Sequence, residues 1–233
     1  MILRDLFFAG LCLSWVYFVA VCVARNFYIW LKKRGRDSQS SSYLVRKFIH
    51  IVGGGIFLFF PFIFKEVILP FLFCIILAFI FYYRHLKKQR FFWFQIEEKK
   101  SEVIFCLSAG FTILLGWWIT KSMWFGIVPV LFMALGDGVT GIVRGLKYGK
   151  QKKYWEGSAA MLAVSVIIGL IKFGIGGIFA ALGATLVERL ELIDDNISIP
   201  FVSLIILIFF WLYFPSWINS PCSVLIEKIF SLI

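Results

Sequence analysis

Hydrophobic positions in this chain come in long unbroken blocks rather than in the short alternating groups of a soluble fold. LFFAGLCLSWVYFVAVCVA, FLFCIILAFIFYY and VSLIILIFFWLY each run without a charged residue. A helix needs roughly 20 apolar residues to cross the hydrocarbon core of a bilayer. Segments of that kind fall at 6–24, 48–64, 67–83, 102–120, 122–140, 157–173, 174–191 and 200–217. The pattern therefore predicts an all-α, polytopic membrane protein with about eight transmembrane helices, forming a single integral domain over 1–233. The first block follows one arginine, as a signal peptide would. It is nearly twenty residues long and continues into FYIW without a small-x-small exit, so it reads as an uncleaved first span.

Polar positions between the blocks are asymmetric. The segments 25–47, 84–100 and 144–153 carry seven, six and five Lys or Arg residues, and Arg189 lies at the end of the next-to-last block. Only Arg4, Lys65, Lys121, Lys172 and Lys228 fall on the other connections. Positive charge is retained on the cytoplasmic side, so the alternation predicts eight spans with both termini outside. Residues 32–43, KKRGRDSQSSSY, read as a flexible polar loop, and 218–233 as a short interfacial helix.

Composition agrees and narrows the function. The chain is 61% hydrophobic and 16% charged, against about 25% charged residues in soluble domains. No soluble domain is left to carry a nucleic-acid face, so the net charge of +11 suits anionic headgroups, topology and phosphate-bearing substrates better. The five cysteines sit mostly in apolar runs and form no ligand set.

The chemistry-bearing residues gather on the predicted cytoplasmic side. Asp137, between Gly136 and Gly138, ends the fifth span, where a lone carboxylate would be costly without a cation or partner. Thr140, Gly141 and Arg144 follow it on one helix face, with the glycines leaving room for a neighbouring backbone or a phosphate. Lys147, Lys150, Lys152 and Lys153 load the next connection, and Glu156 opens the sixth span, where a carboxylate also caps a helix. Glu188, Glu191 and Asp195 share a face at spacings of three and four, with Asp194 and Asn196 alongside and Pro200 setting the start of the last span. Acidic residues there oppose the positive bias, and Mg²⁺ is the cation that carboxylate and amide oxygens beside phosphates select. Arg46, Lys47 and His50 cluster at the start of the second span, ahead of Gly53, Gly54 and Gly55; His85 reads as an interfacial residue. No G-x-x-x-x-G-K-[ST] occurs, so a P-loop NTPase is not supported. The set would place carboxylate-held Mg²⁺ and basic groups at headgroup level, where a soluble nucleotide meets a lipid.

The ordered blocks R-K-x-x-H, G-D-G, K-K-x-W-E-G-S and D-N-x-x-x-P, over residues 44–200, resemble the polyprenol kinase family, which includes dolichol kinase, phytol kinase and CTP-dependent diacylglycerol kinase. The stretch from Gly136 to Gly157 is also similar to phosphatidate cytidylyltransferases. The resemblance implies catalytic roles for Asp137, Lys153, Glu156, Glu188 and Asp195, with Asp137, Glu188 and Asp195 as metal ligands. It implies nucleotide contacts from Arg46, Lys47, His50, Arg144, Lys147, Lys152 and Asn196, and CTP as phosphoryl donor. Tyr154 stands where the family commonly has Ser or Thr after the lysine pair. Two enzyme readings follow: transfer of the γ-phosphoryl group to a lipid alcohol, or attack of a lipid phosphate on the α-phosphorus to give a CDP-lipid. The block at His50 and D-N-x-x-x-P favour the kinase. A transporter is the third reading, opposed by charge gathered on one side. Membrane lipids and the lipid alcohol are the expected partners, the plasma membrane the expected location.

Overall fold

The computed structural model describes residues 2–95, 100–148, 154–190 and 193–218. Among them, seven helices are long and apolar enough to cross a membrane: α1 Leu3–Lys33, α2 Ser38–Ile63, α3 Ile68–Leu86, α4 Ser101–Thr120, α5 Trp124–Lys147, α6 Trp155–Leu190 and α7 Asp195–Tyr213. The chain is an all-α, multi-pass integral membrane protein. Helix α5 is the most buried of the seven and α1 the least. The core half of α5 explains this: Ile127, Val128, Val130, Leu131, Phe132 and Met133 are all enclosed, as expected of a helix that is hydrophobic all round.

Seven helices, against eight expected segments, follow from one glycine. Gly174 interrupts α6 at φ 55°, ψ −133°, a backbone conformation open essentially to glycine. The chain reverses there. Ser158 Oγ lies 3.3 Å from Glu188 Oε2, although thirty residues of straight helix would separate them by about 45 Å. The two limbs touch backbone to backbone at Gly169 and Gly177, where any Cβ would meet a carbonyl group.

Helix boundaries depart from the expected ones where polar residues cap or extend a helix. Most of the polar stretch 32–43 is helical rather than a loop. Gly35, at φ 79°, makes the turn; Asp37 caps α2 by accepting from Ser40 N at 2.8 Å, and Ser41 Oγ donates back to Asp37 O. Arg46 and Lys47 consequently lie more than two turns inside α2 rather than at its start. Likewise α5 continues past 140 to Lys147. Helix α7 begins at Asp195, with Asp194 as its cap, so Pro200 lies within the helix and does not set its start. The expected interfacial helix at 218–233 lies, apart from Ile218, outside the described residues.

Two π-helical turns widen the long helices, one in α1 at Val19–Val23 and one in α5 at Phe132–Gly136. Trp93 Nε1 donates to Ala20 O inside the first, at 2.8 Å. The second ends directly before Asp137, and π-turns of this kind recur at functional sites.

Basic side chains make contacts between segments at both ends of the bundle. At one end Arg36 Nη1 reaches Gly145 O, Ser42 Oγ reaches Phe92 O, and Arg46 Nη1 reaches Ser101 Oγ. These contacts bring the α1–α2 connection to the end of α5, and α2 to the α3–α4 connection and the start of α4. At the other end Arg4 Nη2 donates to Ile63 O, and Lys172 Nζ stands 4.2 Å from the Trp124 ring centre.

Candidate functional site

The site is built where α2, α5, α6 and α7 meet, toward the basic end. Glycine makes the approach of α2 to α5 possible. A Cβ on Gly138 would strike Ile51, one on Gly141 the aliphatic stem of Lys47, and one on Gly145 Leu44. Gly54 returns the relation, facing Ala134 Cβ. Room near Asp137 therefore serves a neighbouring helix, and the Gly141 notch is filled by the Lys47 stem rather than by a phosphate. Thr140 Oγ1 donates to Gly136 O and Gly157 O, joining α5 to the start of α6.

Lys47, led through that notch, places Nζ 2.5 Å from Asp137 Oδ2. Both side chains are nearly enclosed, 10% and 4% exposed, so the ion pair satisfies two charges that apolar surroundings would penalise singly. His50 lies one turn further along α2. Its Nδ1 stands 4.0 Å from the same Asp137 oxygen and has no hydrogen-bond partner. Its ring packs 4.5 Å from that of Phe105.

A second pair parallels the first. Arg144 Nη1 and Nη2 reach Glu188 Oε1 and Oε2 at 2.7 and 3.3 Å, a forked guanidinium–carboxylate contact. Arg144 Nη2 also approaches Ser158 Oγ and Tyr154 O. The guanidinium lies over Gly157, where a Cβ would fall 2.3 Å from Nε. Arg144 is thus engaged inside the protein through Glu188.

Asp137, Glu188 and Asp195, from α5, α6 and α7, converge. One oxygen of each lies within 4.8 Å of the others, with Asp137 and Glu188 buried and Asp195 half-buried. Trans ligands of a divalent ion bound at about 2.1–2.5 Å lie about 4.2–5 Å apart, so the spacing is that of one coordination shell. The donors are hard oxygens. Next to Asp195 in the chain, Asn196 Oδ1 is buried without a hydrogen-bond partner, an amide oxygen of the kind Mg²⁺ and Ca²⁺ accept. Two permanent cations stand at the cluster, Lys47 against Asp137 and Arg144 against Glu188. The donor set fits a divalent cation.

Lys147 Nζ meets Glu156 Oε1 at 2.5 Å on the basic side of this cluster. Arg46 points away from it toward Ser101. Lys152, Lys153 and Glu191 lie outside the described residues. The structure thus groups Lys47, His50, Asp137, Arg144, Glu188, Asp195 and Asn196, and leaves Arg46 and the Lys147–Glu156 pair on its margins.

One polar network escaped the sequence reading. His85 is not an interfacial bystander: its Nε2 is 2.5 Å from Glu102 Oε1, with only 6% of the side chain exposed. Gln95 Nε2 donates to the same oxygen, and Phe91 N donates to Gln95 Oε1. The available signal was Glu102, an acid in the first turn of an apolar helix that needed a partner. Comparison with protein families, with curated proteins and with solved structures finds no match for this chain.

Proposed function

We propose that the protein is a membrane lipid kinase that transfers the γ-phosphoryl group of a nucleoside triphosphate to the hydroxyl of a lipid alcohol. The observation that carries this reading is the convergence of Asp137, Glu188 and Asp195 beside Lys47 and Arg144. The resemblance to polyprenol kinases supports it, and CTP as donor rests on that resemblance alone. A Mg²⁺ ion held by the three carboxylates would supply charge neutralisation for the triphosphate. The chain's own residues would do the rest. Lys47 faces charge that builds on phosphoryl oxygens, Arg144 holds Glu188 in position, and Asp137 accepts the hydroxyl proton. The alcohol oxygen bonds to the γ-phosphorus, the bond from that phosphorus to the bridging oxygen breaks, the nucleoside diphosphate leaves, and the proton passes from Asp137 to water. Counting the two limbs of α6 separately yields eight crossings, and positive charge then sets the site on the cytoplasmic side with both termini outside.

The test supplies purified protein with Mg²⁺, membrane lipids and CTP labelled at either the α or the γ phosphate. Label from γ in the lipid fraction is the expected result, lost in Asp195→Asn. Label from α would instead establish a cytidylyltransferase. No transfer from CTP or ATP would overturn both.

A further inference from the structure

Two adjoining apolar spaces lie in line from the membrane flank to His50. The outer one is a groove of about 380 Å³ between α1 and α3, lined by Leu13, Tyr17, Ile80 and their neighbours, with Arg84 and Phe91 toward its basic end. Its volume lies in the range of small-molecule sites. Tyr17 and Ile80 are exposed on the flank of the molecule, so the groove opens toward hydrocarbon. The inner space is a narrow chamber of about 50 Å³ enclosed by α1 to α4 and capped by Phe94. Val16, Leu77 and Phe81 border both spaces and form the wall between them.

The chamber is apolar except for Arg46, His50 and Glu102. Two of these are engaged: Arg46 with Ser101, and Glu102 with His85 and Gln95. His50 is 5% exposed, and its Nδ1 has no hydrogen-bond partner. A buried imidazole nitrogen left unpaired is costly. It lies 4.0 Å from Asp137 Oδ2, which makes His50 the side chain that borders both the chamber and the carboxylates. A hydroxyl oxygen about 2.8 Å from each of two atoms so spaced subtends an angle near 90°, within hydrogen-bonding reach of both.

We infer that the groove and chamber are the acceptor site, and that the acceptor is a single-chain lipid alcohol arriving laterally between α1 and α3. Its hydrocarbon lies along the groove, passes the wall of Val16, Leu77 and Phe81, and brings the hydroxyl between His50 Nδ1 and Asp137 Oδ2. His50 orients that hydroxyl as Asp137 takes its proton; His50 is a positioning residue for the acceptor rather than a nucleotide contact. The chamber is narrow and mostly apolar, which suits one chain ending in a single hydroxyl better than a glycerol diester headgroup. This inference rests on the phosphoryl-transfer reading for its chemistry but not for its binding site.

The test uses the full chain in lipid nanodiscs with hexadecanol bearing a mid-chain diazirine, illuminated without nucleotide. Crosslinks are expected on residues 13–21 and 77–84, displaced by unlabelled hexadecanol but not by hexadecane. Leu77→Trp is expected to raise KM for the alcohol about tenfold while KM for the nucleotide holds, since it obstructs one substrate only. His50→Gln is expected to retain the crosslinks and lose turnover. Crosslinks spread over the exposed face of α7, or displaced equally by hexadecane, overturn the acceptor site even where phosphate is transferred. Crosslinks confined to the groove with no phosphate transferred leave the alcohol site standing and remove the kinase.

Discussion

At the residue scale the defining feature is charge buried only in pairs. Lys47 lies against Asp137 and Arg144 against Glu188, each pair drawn from different helices or from distant parts of the sequence. Removing one partner leaves the other charged in a dry site, at a cost of about 3–5 kcal/mol. Lys47→Met should therefore destabilise the protein by that amount, read as a lowered Tm in detergent. The double variant Lys47→Met with Asp137→Leu should recover most of the stability and none of the activity, because an apolar pair replaces the ionic one. Asp37 offers a different case, outside the spans. The Ser40 hydroxyl and amide hold its carboxyl below the usual carboxylate range. Its cap on α2 is therefore present above the ordinary carboxylate pKa and is lost as pH falls through the depressed value. The Ser40 amide resonance should shift through that acidic window, and Asp37→Asn should abolish the shift.

At the element scale, glycine sets how closely helices approach. Gly141 is occupied in effect by Lys47, whose stem carbons would lie 2.5–2.6 Å from a Cβ. Gly141→Val should cost about 1–3 kcal/mol by overpacking and displace the ammonium from Asp137. Gly10→Ala, with nothing within 4 Å of its Cβ, should instead be neutral or stabilise α1 by about 0.5–1 kcal/mol through helix propensity. Comparing the two by thermal denaturation separates packing from backbone freedom. Gly174 acts through backbone conformation. With φ at 55° and ψ at −133°, a side chain there is strained, and Gly174→Val should part the limbs of α6 and draw Glu188 from Arg144. The expected readout is a lowered Tm in detergent.

At the scale of the whole molecule, four helices contribute to one site, so the site reports on assembly of the bundle. Asp195 is the half-buried member of the three, and its substitution leaves the buried Lys47–Asp137 and Arg144–Glu188 pairs in place. Mg²⁺ at a hundred times its dissociation constant should stabilise the folded chain by about 2.7 kcal/mol. The matching rise in Tm should vanish with EDTA and in Asp195→Asn. An unchanged wild-type Tm across millimolar Mg²⁺ and Ca²⁺ would remove the metal from the site.

Much of this was written in local pattern. Long apolar blocks define α1, α3, α4 and α7 because a bilayer-spanning helix satisfies its backbone within itself and needs only length and hydrophobicity. The grouping of Asp137, Glu188 and Asp195 was legible too, since acids against a positive bias have few reasons to be there. Tertiary structure alone decided what each group meets. Capping by Asp37 turned an apparent loop into helix, and the reversal at Gly174 returned Glu188 to Arg144. Lys47, which the sequence offered to a phosphate, reached Asp137 through a notch in a neighbouring helix. His85 gained Glu102 from across a connection. Spacing along one helix specifies a face, and the contacts of that face depend on neighbours that only packing brings within a few ångströms.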